Sequence, residues 1–384
     1  MSDLMGRYNS WRRGILPASK RELERRREKV SSRFDHIDTK LAEIERKLAQ
    51  QNQPLFDERL LPTDLTPSNA HEASAKAGAD GYISSRFDHI DTKLGEIGRQ
   101  LSQLDAGLIP TDLVSPDVNE ALAKAEFAAG LTTVRSTPVI LSLETTSACN
   151  LRCVMCAHAY GEVHRPKHLD DGLVSKLKHL LKRANHIQLH GIGEPTNSPA
   201  FWRLLGDLPP PQQICDSSIN TNFTVIDDER LSKLLDSNLK IINVSLDAGT
   251  EATYQKIRGF SFNVVVGNIE RLLTGRRARG QVFPLVHMNM TLMRSNIEEL
   301  PDFIQLAERL GVDEIMLWHL NRWPDEAMAR YVTKKDGWIF DYAQEGLWNF
   351  PALSNRCIRD AVELAKEAGI PLELDCNKDM YFDD

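Results

Sequence analysis

The 384-residue sequence predicts an α/β fold: a partial (βα)6 barrel over residues 136–320, with a helical, coiled-coil-type arm over 1–135 before it and a short α/β extension over 321–384 after it. Three observations carry this. Composition shifts near residue 135, from polar and helix-prone to alternating apolar. Beyond that point short apolar runs alternate with helical stretches of about ten residues, the pattern of βα units in a parallel sheet. Within the polar part, Ser31 to Leu41 recurs letter for letter at Ser84 to Leu94.

The arm comes first. Phe34, Ile37, Leu41, Ile44 and Leu48 step by three and four, and Phe87, Ile90, Leu94, Ile97, Leu101 and Leu104 repeat the stepping, which is a heptad seam. Each run is short for an independent coiled coil, so the two copies pair with each other or with another chain. Between them Pro54, Pro62 and Pro67 mark a linker. Arg21, Arg25, Arg26 and Arg27 are interleaved with Glu22, Glu24 and Glu28, the composition of a solvated helix face laced with ion pairs rather than of a nucleic-acid patch.

The barrel segment follows. Val139 to Leu143 reads as the first strand, Asp171 to Arg183 as a helix and His186 to His190 as the second strand. Next come a short helix over Phe201 to Leu208, a strand over Ile214 to Ile219 and a helix over Asp227 to Leu235. Then follow strand Ile241 to Leu246, helix Val264 to Leu273, strand Val286 to Leu292, helix Ile297 to Leu310 and strand Glu314 to Trp318. Six units make a curved sheet short of the eight that close a barrel. A helix over Cys357 to Ala368 and the run Ile370 to Leu374 form the tail.

Composition bounds the function. Hydrophobic residues are 41% and charged residues 26%, and a mean hydropathy of −0.36 is too polar for a multi-span membrane protein. The first thirty residues carry arginines with no apolar run behind them, so the chain reads as cytoplasmic, without a membrane span or secretory signal. A net charge of −7 weighs against a nucleic-acid partner.

Cys149, Cys153 and Cys156 lie in the loop just after the first strand, where sites form in parallel α/β sheets. Three thiols in one loop suit an iron–sulfur cluster with one iron free of protein ligand. Zinc is the competing reading and needs a fourth ligand, for which His158 is available.

Cys149-X3-Cys153-X2-Cys156 resembles the radical S-adenosylmethionine superfamily, and Gly191-Ile192-Gly193-Glu194-Pro195 at the end of the second strand is similar to that family's Gly-Gly-Glu-Pro segment, with Ile192 as a departure. The resemblance spans about residues 137–320. It implies that the three cysteines hold a [4Fe–4S] cluster, that its open iron is chelated by S-adenosylmethionine, and that one electron from a donor such as flavodoxin or ferredoxin splits that molecule into methionine and a 5′-deoxyadenosyl radical. It implies that the backbone of Gly191 to Pro195 receives the ammonium of the methionine moiety. Met155 falls at the family's apolar position near adenine, with core packing as the alternative.

Ser245 and Asp247, two apart at the end of the fourth strand, fall where the family binds ribose hydroxyls; Asp247 capping the next helix is the alternative. Asn222 closes the third strand at the same mouth, with a turn-forming role as its alternative. Arg294 would approach the methionine carboxylate, and Asn296 reads as the N-cap of the helix from Ile297. Subgroups of the family append a cysteine-rich SPASM or twitch domain for further clusters. Here only Cys357 and Cys376 follow the barrel, so either auxiliary clusters are lacking or a longer domain has been cut short. The expected activity is hydrogen-atom abstraction from a peptide or carbohydrate-type substrate. The alternative is a non-enzymatic coiled-coil adaptor with a structural metal site.

Overall fold

In the computed structural model the described residues are 115–128, 130–163, 165–209, 216–335 and 337–375. The duplicated heptads, their linker, the arginine cluster, Cys215 and Cys376 lie outside them. The described part divides into two compact units.

The first unit holds α1 (Pro116–Ala128), the approach to Val139 and the segment Arg183–Asn185. Its hub is Asn119, fully buried. The Asn119 amide donates to the carbonyls of Thr137 (3.0 Å) and Arg183 (3.3 Å), and its oxygen accepts from Thr137 N (2.8 Å). A buried amide is stable only when its hydrogen bonds are satisfied in this way.

The second unit is a seven-stranded parallel sheet in chain order: β1 (Ile140–Ser142), β2 (His186–Gln188), β3 (Asp216–Thr221), β4 (Ile241–Ser245), β5 (Leu285–Leu292), β6 (Glu314–His319) and the final β9 (Leu372–Asp375). The seventh strand departs from the six-unit expectation. Ile370 to Leu374 is too short to be distinguished from a tail in sequence, yet Ile315 to Trp318 pair with Leu372 to Asp375 in parallel register.

The helices covering the sheet are α2 (Asp171–Leu181), α3 (Pro199–Gly206), α4 (Asp228–Asp236), α5 (Glu251–Arg258), α6 (Phe262–Ala278) and α7 (Leu300–Leu310). Asp170, Asp227 and Thr250 cap α2, α4 and α5 by accepting from the backbone N–H three residues on. α5 is absent from the sequence reading because its eight residues carry only Tyr254 and Ile257 as buried apolar anchors. After β6 come α8 (Asp325–Met328), an antiparallel hairpin of β7 (Val332–Lys335) and β8 (Trp338–Asp341), then α9 (Tyr342–Glu345) and α10 (Pro351–Glu367). The hairpin has no predicted counterpart.

The two faces of the sheet differ in chemistry. Ile187, Ile219, Ile242, Val244, Val286, Met288, Ile315 and Leu317 are fully buried beneath the helices. The alternate positions fall into rows by parallel register: Ser142, Gln188, Ser218 and Ile241; then Asn220, Asn243, His287 and Glu314; then Ser245, Asn289 and Met316. A closed eight-stranded barrel fills its interior mostly with branched apolar side chains. Here the middle row is two amides, an imidazole and a carboxyl, and the buried Nδ1 of His287 and, in the next row, Oδ1 of Asn289 have no protein partner.

Burial pushes the Glu314 carboxyl up to about 7, with Glu373 and Asp313 adding to the effect, and burial pushes the His287 imidazole down. Both groups are thus held toward their neutral forms, 3.5 Å apart between Nε2 and Oε2. An unfolded glutamate releases its proton near pH ~4.3, so between there and about pH 7 the folded chain holds a proton that the unfolded one has lost. Stability attributable to Glu314 therefore falls as pH rises through that window, while His287 acts in the opposite direction. Denaturant unfolding from pH 5 to 8 should show Glu314→Gln more stable than the parent above pH 7, by on the order of 1 kcal/mol after allowing for partial exposure. Equal differences at pH 5 and pH 8 would refute the proton held by Glu314.

Candidate active site

The cysteine loop runs from Glu144 to Cys156, directly after β1. It is seated by backbone contacts at both ends. Leu169 N donates to Thr145 O (3.0 Å) and Ser147 N to Lys167 O (2.9 Å); farther on, Val154 N donates to Ile257 O (3.0 Å), and Cys156 N closes a turn on Cys153 O (2.9 Å). Tyr160 donates its hydroxyl to Val154 O at 2.6 Å. The three thiols are free and half-buried. Burial raises Cys149 and pushes Cys153 up to about 12, so these sulfurs stay protonated until a metal replaces the proton. Cys149 Sγ accepts from Leu151 N (3.4 Å) and from the Asn222 amide (3.8 Å).

The loop rests on the turn after β2. Ile192 N donates to Glu144 Oε1 (2.7 Å), and Glu194 N donates to Ala148 O (2.8 Å). A Cβ on Gly193 would run into the carbonyl oxygens of Thr146 and Ala148, and one on Gly191 would meet the Glu144 side chain. Glu194 is 3% exposed. Its carboxylate accepts from Thr196 N (3.0 Å), Thr196 Oγ1 (2.7 Å), Thr221 Oγ1 (2.6 Å) and Asn222 N (2.7 Å). Burial raises its pKa and these four bonds oppose the rise. Pro195 opens the short helical turn Pro195–Asn197, which Glu194 caps. One buried carboxylate thus joins the ends of β2 and β3, and its backbone joins both to the cysteine loop.

The other candidates divide. Asn222 is brought to the cysteines: its oxygen is held by Thr224 N (3.1 Å) and Oγ1 (2.7 Å), which turns its amide toward Cys149 Sγ and Asn150 Oδ1 (3.0 Å). Ser245 ends β4 on the inner face. Asp247 does not share that face by strand alternation, because β4 has ended and its φ is +58°. Its carboxylate lies against Arg258, accepting from Nε (2.9 Å) and Nη2, and also accepts from Thr291 N (2.7 Å). Thr250, not Asp247, caps α5. Phe223, after β3, is the other non-glycine residue at positive φ among those described (+53°). Two strained positions at adjacent strand ends are where functional backbone is expected.

Met155 packs on an aromatic cluster that includes Phe340 and Tyr342, the packing alternative for that residue. Arg294 is exposed, with its guanidinium 4.8 Å from the Phe350 ring centre. Asn296 stands before the turn at Ile297 without making a side-chain cap. Its amide instead donates to Asp247 O (2.9 Å) and Thr291 O (2.8 Å), and its oxygen accepts from Met293 N (2.7 Å). Glu144 and Arg258 are site residues that the sequence reading passes over. Glu144's position between strand and cysteines is the one signal for it, and Arg258 looks like an ordinary basic helix end.

The residues suit the implied cofactors. Three thiols with N–H donors already aimed at Cys149 Sγ form the donor set of an iron–sulfur centre. His158, the fourth ligand that zinc would need, is buried in the same loop region, its Nε2 without a hydrogen-bond partner. Among the described residues no three His, Cys, Asp or Glu side chains stand converged at metal-holding distance. The glycine turn brings backbone, not side chains, up to the cysteine loop.

Residues 143–307 match the family model described as the Radical SAM superfamily. The chain carries a radical SAM domain. The cofactors of that family are a [4Fe–4S] cluster and S-adenosylmethionine, and the domain's cysteine loop and glycine turn fit both. Curated relatives include mycofactocin maturase MftC of Mycobacterium ulcerans (strain Agy99), 30% identical over 176 residues, covering 45% of this chain and 45% of the relative. Another is the tungsten-containing aldehyde ferredoxin oxidoreductase cofactor-modifying protein of Pyrococcus furiosus, 27% identical over 184 residues, covering 47% of this chain and 51% of the relative. Among solved structures, Streptococcus suis SuiB bound to precursor peptide SuiA aligns with a TM-score of 0.49 and 16% identity over 75% of this chain and 62% of that one. The chain spans about half the length of the curated relatives it matches.

Proposed function

We propose that this chain is an enzyme that removes a hydrogen atom from an unactivated carbon of a peptide or carbohydrate-type substrate. The observation that carries the reading is the seating of the three-cysteine loop on the Gly191–Pro195 turn and Asn222, beside an inner sheet face lined with polar side chains. When bound, the cluster and S-adenosylmethionine supply reductive cleavage of a carbon–sulfur bond and the hydrogen-abstracting radical.

Cys149, Cys153 and Cys156 would hold the cluster. The backbone of Gly191 to Glu194 forms the cradle for the methionine moiety, held in place by Glu144 and the four bonds to Glu194. Ser245 remains on the inner face for a ribose hydroxyl. Arg294, its guanidinium stacked on Phe350, is the candidate for the methionine carboxylate. The inner-face residues Asn243, His287, Asn289 and Glu314 suit a substrate rich in hydrogen-bonding groups. A cavity of about 420 Å³ beside the loop is bordered by the exposed Arg152 and Lys334, a positive rim suited to an acidic one-electron donor such as flavodoxin or ferredoxin. Among the described residues no helix is long and apolar enough to cross a membrane.

Anaerobic reconstitution with iron and sulfide, followed by reductant and S-adenosylmethionine, should yield 5′-deoxyadenosine and methionine. Tight zinc binding without 5′-deoxyadenosine would reject the enzyme.

A further inference from the structure

Asn222 is held at both ends. Its backbone N–H donates to Glu194 Oε2 (2.7 Å), and its side-chain oxygen accepts from Thr224 N (3.1 Å) and Thr224 Oγ1 (2.7 Å). A backbone N–H can only donate, so the amide cannot be turned over. Its nitrogen is therefore the end that faces Cys149 Sγ at 3.8 Å and Asn150 Oδ1 at 3.0 Å. The donors continue as a ring: Asn150 Nδ2 donates to Thr224 Oγ1 (2.8 Å), whose own proton goes to Asn222 Oδ1. Bonds that run one way round polarise one another. Asn222 and Thr224 are both buried, so little water competes for the amide.

Among the described residues, Cys149 is the one cysteine of the three whose sulfur accepts hydrogen bonds, its other donor being Leu151 N at 3.4 Å. Tying the loop to the end of β3 accounts for the bond between Asn222 and Asn150. It does not account for the second amide hydrogen, which is aimed at sulfur.

We propose that Asn222, turned by Thr224, is a positioning residue that donates a hydrogen bond to the Cys149 thiolate and thereby raises the reduction potential of the centre held there. The inference rests on the cysteine assignment above. Once Cys149 gives up its proton to a metal, the contact becomes charge-assisted and stronger. Reduction places further negative charge on the sulfurs, so a fixed N–H donor stabilises the reduced form more than the oxidised one. Hydrogen bonds to the sulfurs are among the levers that set a cluster's potential.

The test is a redox titration of the anaerobically reconstituted full chain, followed by electron paramagnetic resonance, with iron counted per chain. Asn222→Ala should keep the iron content of the parent, while its ratio of reduced to oxidised centre at a fixed potential falls at least threefold. That is a downward shift of about 28 mV at 59 mV per tenfold for one electron. Asn150→Ala opens the ring but leaves the Asn222 N–H on the sulfur, so it should shift by less than half as much. Thr224→Val removes the hydroxyl that turns the amide and should also lower the potential, which preserves a readout if Asn222→Ala assembles no centre. A fall of less than threefold in Asn222→Ala, a shift in Asn150→Ala at least half as large, or a parent-like or raised potential in Thr224→Val would each overturn the proposal. A parent chain that takes up no four-iron centre would instead overturn the cysteine assignment.

Discussion

Cys153→Ala should abolish cluster assembly: iron per chain falls from about four to below one, the brown chromophore is absent, and no 5′-deoxyadenosine forms. The expected effect is total rather than partial because Cys149 and Cys156 alone cannot retain a cluster that is held by three protein sulfurs. Cys153 is the most informative of the three to change. Burial pushes its thiol up to about 12 despite the opposing Arg258 guanidinium, so in the metal-free fold it stays protonated. The fold itself should tolerate the change. The loop is seated by backbone bonds at Ser147, Val154 and Cys156 rather than by the Cys153 side chain, and replacing a half-buried thiol by a methyl removes little volume. Far-ultraviolet circular dichroism and thermal unfolding of the metal-free variant should therefore match the parent. Unchanged iron content in Cys153→Ala would remove this residue from the ligand set.

The sequence made the sheet legible because its strands and helices differ in period. Alternation over His186 to His190 or Ile241 to Leu246 reads as strand without any tertiary information, and helices such as Leu300–Leu310 carry a long apolar face. What escaped has two causes. α5, the β7–β8 hairpin and the strand Leu372–Asp375 are too short to show a period, and they exist because neighbours pair with them: Leu372 with Ile315, Val332 with Asp341. The site divides in the same way. The cysteine spacing and the glycine turn were visible because they are contiguous. Asp247 was misplaced because alternation was extended two residues past the end of β4, where the positive φ of Asp247 redirects its side chain to Arg258. Arg258, Glu144 and the donors to Glu194 from β3 are assembled only by the fold: Ile192 N reaches Glu144 across 48 positions, and Val154 N reaches Ile257, next to Arg258, from farther still.

Gly193→Ala separates a steric seat from a merely permissive turn. A methyl at Gly193 has no free direction: the carbonyl oxygens of Thr146 and Ala148 and the carbonyl carbon of Ser147 already occupy its space, and all three are backbone. Backbone cannot rotate aside as a side chain can, so either the cysteine loop or the end of β2 must shift, and the bond from Glu194 N to Ala148 O stretches with it. Overpacking of this kind costs roughly 1–3 kcal/mol, and the lost hydrogen bond adds about 1 kcal/mol. Gly191→Ala is the internal control. Its methyl meets only the Glu144 side chain, which can turn away at the expense of its bond to Ile192 N, so the cost should stay near 1 kcal/mol. The two variants should also differ in binding. Gly193→Ala moves the cradle relative to the cysteines and should weaken S-adenosylmethionine binding to the reconstituted protein more than tenfold by equilibrium dialysis, whereas Gly191→Ala should weaken it less. Equal losses of stability and affinity in the two alanine variants would show that the Gly193 contact with the cysteine loop does not position the site.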